Sequence, residues 1–559
     1  MIVLVSKNQS LIRKLQKFIV PKNIIFCNKN YLIAQTSSES AHYQSNKDNI
    51  FQAIFSPSSY SSARKNEYSQ DTAIKLLLDK KIDKLSIQRD KIGFQHLYFT
   101  KIPAGVLISN SLRILAKIKK LLGEVNSFSK TGITSYLTFQ YVAFPETIVK
   151  GISQVPPGGK LIVDESLTSE VKTGWLNISS IKDSKSGNTL SIAKDIKDLF
   201  INSLQRNTND FRRIGCYLSG GMDTSTNVAL LVKELDIRPI AFTADFAEPQ
   251  YSEIADAEVI SNKFGLKHFV TTITPEDVFL LPDIVNKFDS PIADRAILPQ
   301  YFVAKKAKEM NVETIISGEG GDEIFGYPRR LSDTQGETIV KQRELSNLSL
   351  ARYYLGFAGL FNRNEIRILS GNSGTDVSYG EQLAKIYKTI QLKDNFDKIY
   401  LGQWKSWLID NVLVKDKGIC EPMGIKSANP FIDIKIMELM ASLPLGIKLI
   451  LLRNKYLLRT IMADYLPKRI IQKKKHKFHV PLAKWFRKPL YEFLHESLLS
   501  TNSIVASMFE RTFVEQLIRN HKCGVQDNNR KLWALLLLEN WILSFRNLEK
   551  SAKMLKYLD

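Results

Sequence analysis

The stretch that decides the fold is YLSGGMDTST, residues 217–226. It follows the apolar run IGC (214–216) and precedes NVALLVKEL (227–235), so a short strand, a pair of glycines and a helix come in that order. Such a turn suits an anion. Gly220 and Gly221 let the backbone approach closely, while free amides and the helix N-terminus supply positive potential. Ser219, Thr224 and Ser225 add hydroxyls. Asp223 would repel a phosphate unless a cation lay between them, and Mg²⁺ is the natural cation. The stretch has no lysine, so it is not the GxxxxGK[ST] loop. Alone, it reads by default as a structural glycine turn.

The neighbouring sequence changes the odds. RPIAFTADF (238–246) and HFVTTIT (268–274) read as strands, and SEIADAEVISNKFG (252–265) between them as a helix. VETIISGEGGDE (312–323) is a further strand ending in glycines. Strands alternating with helices predict an α/β domain with a parallel, doubly wound sheet, whose ligands bind at the carboxyl ends of the strands. The second glycine loop, ISGEGGDEIFGY (316–327), carries Glu319, Asp322 and Glu323. Two such loops on one sheet could bring Asp223 and Asp322 to a single metal ion. The C-terminal part is helix-rich. Before all this, short apolar runs such as NIIFC (23–27), YLIAQ (31–35), HLYFT (96–100) and GVLIS (105–109) read as strands. The polar stretch ISSIKDSKSGNTL (178–190) separates the two regions, giving expected domains of 1–187 and 188–559.

The chain has 559 residues, 44% of them apolar and 24% charged, with a net charge of +22. That charge favours acidic partners: nucleotides, nucleic acid, an acidic peptide or a membrane surface. The four cysteines, Cys27, Cys216, Cys420 and Cys523, form no CxxC pair. Their spacing argues against zinc and disulfides and fits a reducing cytoplasm. LWALLLLENWIL (532–543) is interrupted by Glu539 and Asn540 and is too short to span a bilayer, and the first residues do not read as a signal peptide, so no membrane association is expected.

SGGMDTS (219–225) resembles the nucleotide loop of the N-type ATP pyrophosphatases, and SGEGGDEIFGY (317–327) resembles the second signature of the asparagine synthetase and β-lactam synthetase family. The likeness extends to YLTFQYVAFPETIVKGISQVPPGGKLIV (136–163), KSANPFIDIKIMELMASLP (426–444), QKKKHKFHVPLAKWF (472–486) and RKLWALLLLENWI (530–542). It implies an AMP-forming carbon–nitrogen ligase that uses ATP and Mg²⁺, activates a carboxylate as an acyl-adenylate, releases pyrophosphate and lets an amine attack. By position, Ser219, Gly220, Gly221, Asp223 and Thr224 would hold phosphates and metal, with Thr224 standing where serine is usual. Ser317, Gly318 and the backbone at Tyr217 and Ala244 would contact adenosine, and Asp322 would be the second metal-binding acid. Arg295 would bind the pyrophosphate, Lys475 would neutralise charge between the α-phosphate and the acyl carbon, and Glu319 would accept a proton from the amine.

The sequence also departs from the family. Glutamine-dependent members carry a nucleophilic cysteine directly after the initiator methionine, whereas here Ile2 follows Met1. The N-terminal domain is therefore expected to be a degenerate glutaminase-like (Ntn-type) αββα domain. Where the family reads GLEVRVPFLD, this chain reads GIKSANPFID (424–433), with Lys426 and Ala428 replacing a glutamate and an arginine, and Lys417-Gly418 replaces an Asp-Arg pair. These changes point to a different carboxylate substrate, a peptide or a small molecule. A lasso-peptide cyclase would take a precursor peptide, with a protease as partner. The alternative is an asparagine synthase, and nucleic acid is disfavoured because nucleic-acid-modifying ATP pyrophosphatases lack the SGEGGDE block.

Overall fold

The structure is a computed structural model. It describes residues 1–550 except 18, 20–23, 29, 36–38, 46–49, 58–72, 104, 165, 168, 173, 176–188, 327–343, 372–378, 391, 393 and 474–479. The chain divides into two compact units: Met1–Tyr136 with Val142–Leu176 and Ile542–Asp559, and Leu137–Tyr141 with Asn177–Trp541.

The first unit holds two six-stranded antiparallel sheets. One contains β1 (Ile2–Ser6), β2 (Ile24–Cys27), β3 (Tyr31–Ala34), β8 (Tyr98–Ile102), β9 (Gly105–Ser109) and β10 (Ser153–Gln154), in the order β10-β8-β9-β1-β3-β2. The other contains β4 (Glu39–Ser45), β5 (Ile50–Pro57), β6 (Ile74–Asp79), β7 (Lys84–Gln88), β11 (Lys160–Val163) and β12 (Ser169–Lys172), in the order β12-β11-β7-β6-β5-β4. Side chains alternate across each strand. Val3, Val5, Ile33, Val106 and Ile108 of the first sheet therefore share one core with Phe51, Phe55, Leu76, Leu85 and Leu161 of the second. Ile2 and Leu4 point the other way and are buried as well, on the side of the helices Gln9–Gln16 and Leu112–Leu121. Burial on both faces explains why IVLV has no polar alternation.

After β7, Arg89 is fully buried. Its guanidinium donates to the carbonyls of Gln95 (2.6 Å), Val155 (2.7 Å) and Gly93 (3.1 Å). The Asp90 carboxylate accepts from the amides of Gly93, Phe94 and Gln95. This pair fixes the turn that leads into β8.

The second unit is built on a parallel sheet of β13 (Ile214–Tyr217), β14 (Ile240–Asp245), β15 (His268–Thr272), β16 (Thr314–Ile316) and β17 (Lys426–Ala428), in the order β15-β14-β13-β16-β17. From β13 the chain winds out through β14 to β15, then returns to β16 on the other side of β13. The order thus reverses between β13 and β16, and the crevice at the carboxyl ends of these strands is where ligands bind in open α/β sheets. The two glycine loops follow these two strands. Helices make up most of the unit beyond β17, and the unit ends at Trp541 within the helix Asn529–Lys550.

Candidate functional site

The first loop turns at Gly220, whose φ of 64° is left-handed and suits glycine. A Cβ there would lie 2.4 Å from Asp256 Cβ and 2.7 Å from the Ala257 amide nitrogen. Gly221 then caps the helix Met222–Glu234 without any side-chain hydrogen bond, so amides of its first turn remain available as donors. Ser219 and Thr224 tie the loop to itself: their hydroxyls are 3.2 Å apart, and the Gly221 amide donates to Ser219 Oγ at 3.2 Å. Ser225 is fully buried, so its hydroxyl belongs to the helix interior rather than to the loop surface. Tyr217 ends β13 with its phenol 3.7 Å from Cys420 Sγ, and Ala244 stands near the end of β14.

The second loop packs directly onto the first. A Cβ on Gly318 would lie 3.0 Å from Thr224 Cγ2, and one on Gly321 would lie 2.5 Å from Asp223 Cγ. Glycine at both positions lets the loops touch. Ser317 joins β16 to β17 through its amide, which donates to the Ala428 carbonyl at 2.8 Å, while its own carbonyl accepts from Asn227 at 2.8 Å. Asp223 and Asp322 meet on one cation, the Lys455 ammonium, at 2.5 and 2.7 Å. Burial alone would lower the pKa of Lys455, but the two carboxylates outweigh it and raise it. Lys455 is 9% exposed and precedes the helix Tyr456–Met462.

Beneath the second loop lies a buried charge cluster. Lys415 Nζ is 2.8 Å from Glu319 Oε1 and 3.1 Å from Asp294 Oδ2, and it is 2% exposed. Gln300 Nε2 donates to Glu319 Oε1 at 3.0 Å and to Asp416 Oδ1 at 3.3 Å, and Ser427 Oγ donates to Asp416 Oδ2 at 3.1 Å. Burial would raise Asp294, yet Lys415 and the Ala296 amide bring it down to about 2. Burial, with Glu319 nearby, pushes Asp416 up to about 7. Glu323 also rises to about 7 through burial and the charges of Asp322 and Glu319, while accepting a bond from Trp407 Nε1 at 2.9 Å.

The structure therefore brings together Ser219, Gly221, Asp223, Thr224, Gly318 and Asp322, with Glu319 and Ser317 on the same second loop. Arg295 sits half-buried beside Asp294, in the turn ahead of the helix Ile297–Glu309. Lys475 lies outside the described residues. Sequence reading did not single out Lys455, Lys415, Asp294, Gln300 or Asp416. Lys455 lies 232 residues from Asp223 and Lys415 lies 96 from Glu319, and none of the five falls in a glycine motif. Lys426 is a difference: it opens β17, at the end of the sheet opposite the glycine loops, with its ammonium 5.0 Å from the Phe211 ring centroid. A change there does not touch the crevice.

Two carboxylates beside the uncapped amides of a helix N-terminus suit Mg²⁺, which takes one or two protein carboxylates and completes its shell with water and substrate phosphates. Among the described residues, no group of three or more His, Cys, Asp or Glu could hold a metal by itself. Among the described residues, no helix is long and apolar enough to cross a membrane.

The Asparagine synthase family model matches residues 195–543, and the Glutamine amidotransferase domain model matches residues 73–175. A putative asparagine synthetase (glutamine-hydrolyzing) of Mycobacterium tuberculosis H37Rv is 24% identical over 482 residues, covering 81% of this chain and 73% of that protein. Asparagine synthetase (glutamine-hydrolyzing) 1 of Bacillus subtilis 168 is 24% identical over 549 residues, covering 92% of this chain and 83% of that protein.

Proposed function

The chain belongs to the asparagine synthase family of ATP-dependent, AMP-forming carbon–nitrogen ligases, and on that premise we propose that it forms an amide bond without taking its amine from glutamine. The observation that carries this reading is the start of β1. The position where the glutaminase thiol would stand holds Ile2, an aliphatic side chain 2% exposed. Cys27, on β2 of the same sheet, is internal to the chain and so has no free α-amine beside its thiol. The amine then belongs to the substrate itself or to a second molecule. With the strongly basic net charge of +22, a peptide carboxylate is the preferred substrate, in a macrolactam (lasso) cyclase or β-lactam-synthetase-like reaction.

In this reading the loop amides after β13 bind the β- and γ-phosphates. Asp223 and Asp322 would hold the Mg²⁺, which would supply positive charge for the departing pyrophosphate. A carboxylate oxygen attacks the α-phosphorus, the bond to pyrophosphate breaks, and an acyl-adenylate forms. The amine attacks the acyl carbon, AMP departs, and Glu319 accepts the amine proton. Lys415 Nζ, which donates to Glu319 Oε1 at 2.8 Å, holds that carboxylate in place. Lys475 is assigned the charge between phosphate and acyl carbon.

The test is pyrophosphate release across candidate carboxylates. A peptide bearing an Asp or Glu side chain should release pyrophosphate and return a product lighter by one water. Asparagine formed from aspartate and ammonium would instead establish the asparagine synthase alternative. Glutamate released from glutamine would refute the reading of Ile2.

A further inference from the structure

Two acids from two loops share one buried ammonium. Lys455 Nζ lies 2.6 and 2.5 Å from the two oxygens of Asp223 and 2.7 Å from Asp322 Oδ1. Its backbone is left-handed, with φ 55° and ψ 41°. For a residue other than glycine this conformation is strained, and strain of this kind gathers where geometry serves function. In this conformation the ammonium touches an acid of each loop.

We propose that Lys455 is the resident cation of this acid pair: it holds the two loops together in the nucleotide-free protein and gives way to a divalent cation only when the nucleotide's phosphates arrive. This rests on the reading of Asp223 and Asp322 as metal-binding acids. The physical reason is the burial of the ammonium. At 9% exposure, an ammonium cannot give up its carboxylates without another anion to receive it. A metal ion alone offers it none, whereas a metal ion with a polyphosphate does. Metal and nucleotide therefore bind as a unit, because each removes the obstacle to the other. The lysine also keeps the two carboxylates from repelling each other while the site waits.

The experiment measures Mn²⁺ binding by electron paramagnetic resonance on the full chain, with Mn²⁺ alone and with a non-hydrolysable ATP analogue. Wild type should take up no Mn²⁺ alone and one per chain with the analogue. Lys455→Asn keeps a side chain that tolerates the left-handed backbone but removes the charge. It should bind Mn²⁺ alone at least about tenfold more tightly than wild type, because the built-in counter-charge is gone. Lys455→Arg, which keeps the charge, should behave as wild type. Adding Asp322→Asn to Lys455→Asn should abolish the gain. Circular dichroism confirms that each variant is folded. Wild type binding Mn²⁺ alone in an Asp322-dependent way would overturn the proposal, as would a folded Lys455→Asn with no gain. If, in that case, Asp322→Asn still weakens Mn²⁺ uptake with the analogue, the metal assignment stands and only the exchange fails. If Asp322→Asn leaves that uptake unchanged, the metal assignment itself falls.

Discussion

Gly220→Ala and Gly265→Ala make a matched pair. Both glycines have left-handed backbones, with φ of 64° and 61°. At Gly265 a Cβ would meet nothing within 4 Å. Its replacement should cost only the backbone penalty of an L-residue in this region, about 1–2 kcal/mol. At Gly220 the Cβ would also lie 2.4 Å from Asp256 Cβ, 2.5 Å from Asp256 C and 2.7 Å from Ala257 N. Two of these three atoms are backbone of the helix Ile254–Phe264, so no rotamer change relieves the contact. Overpacking adds about 1–3 kcal/mol, bringing the total to about 2–5 kcal/mol. Urea denaturation of both variants measures the difference, and pyrophosphate exchange into ATP measures the loop. Gly265→Ala should keep exchange, and Gly220→Ala should lose it as well as the larger share of stability. Equal destabilisation of the two, or full exchange in Gly220→Ala, would refute the claim that Asp256 and the nucleotide loop are packed with no room to spare.

Three further outcomes follow from the site. Asp322→Ala should abolish substrate-driven pyrophosphate exchange, and retained exchange would remove Asp322 from the metal site. Lys415→Met strands Asp294 and Glu319 without their cation and should destabilise by about 3–5 kcal/mol in urea denaturation; a loss below about 1 kcal/mol would mean the cluster tolerates its own repulsion. Asp416, raised by burial and Glu319 from 3.8 to about 7, holds its proton in the folded state after the unfolded chain has released it. Its contribution to stability is complete below pH 3.8 and is lost as pH rises through about 7. Asp416→Asn mimics the protonated form, so its melting temperature should exceed that of wild type at pH 8 and lose most of that advantage at pH 5, and a constant difference across this range would contradict the assignment.

The sheet of the second unit was legible because its strands and helices alternate with clear periods and two of its strands end in glycines. Those glycines also marked the two loops, since Gly220 has a positive φ and a Cβ on Gly321 would lie 2.5 Å from Asp223 Cγ. β17 was not legible as a strand. Three residues, KSA, carry no period, and only pairing with β16 makes them one. Lys455 and Lys415 escaped for a different reason. Each is a lysine in a helical region, where the usual outcome is a solvated side chain, and only tertiary packing sets them against Asp223, Asp322, Glu319 and Asp294. Lys426 shows the opposite failure. Its replacement of an expected acid drew attention to the substrate, yet the direction of β17 carries it away from the crevice.

The central claim is that the two loops after β13 and β16 split ATP between its α- and β-phosphorus. The most direct measurement incubates the protein with ATP labelled at the α-phosphate and a carboxylate that turns over, then separates the nucleotides. The account predicts labelled AMP, in amount equal to the pyrophosphate released, and none from Asp223→Ala. Labelled ADP with inorganic phosphate would contradict it.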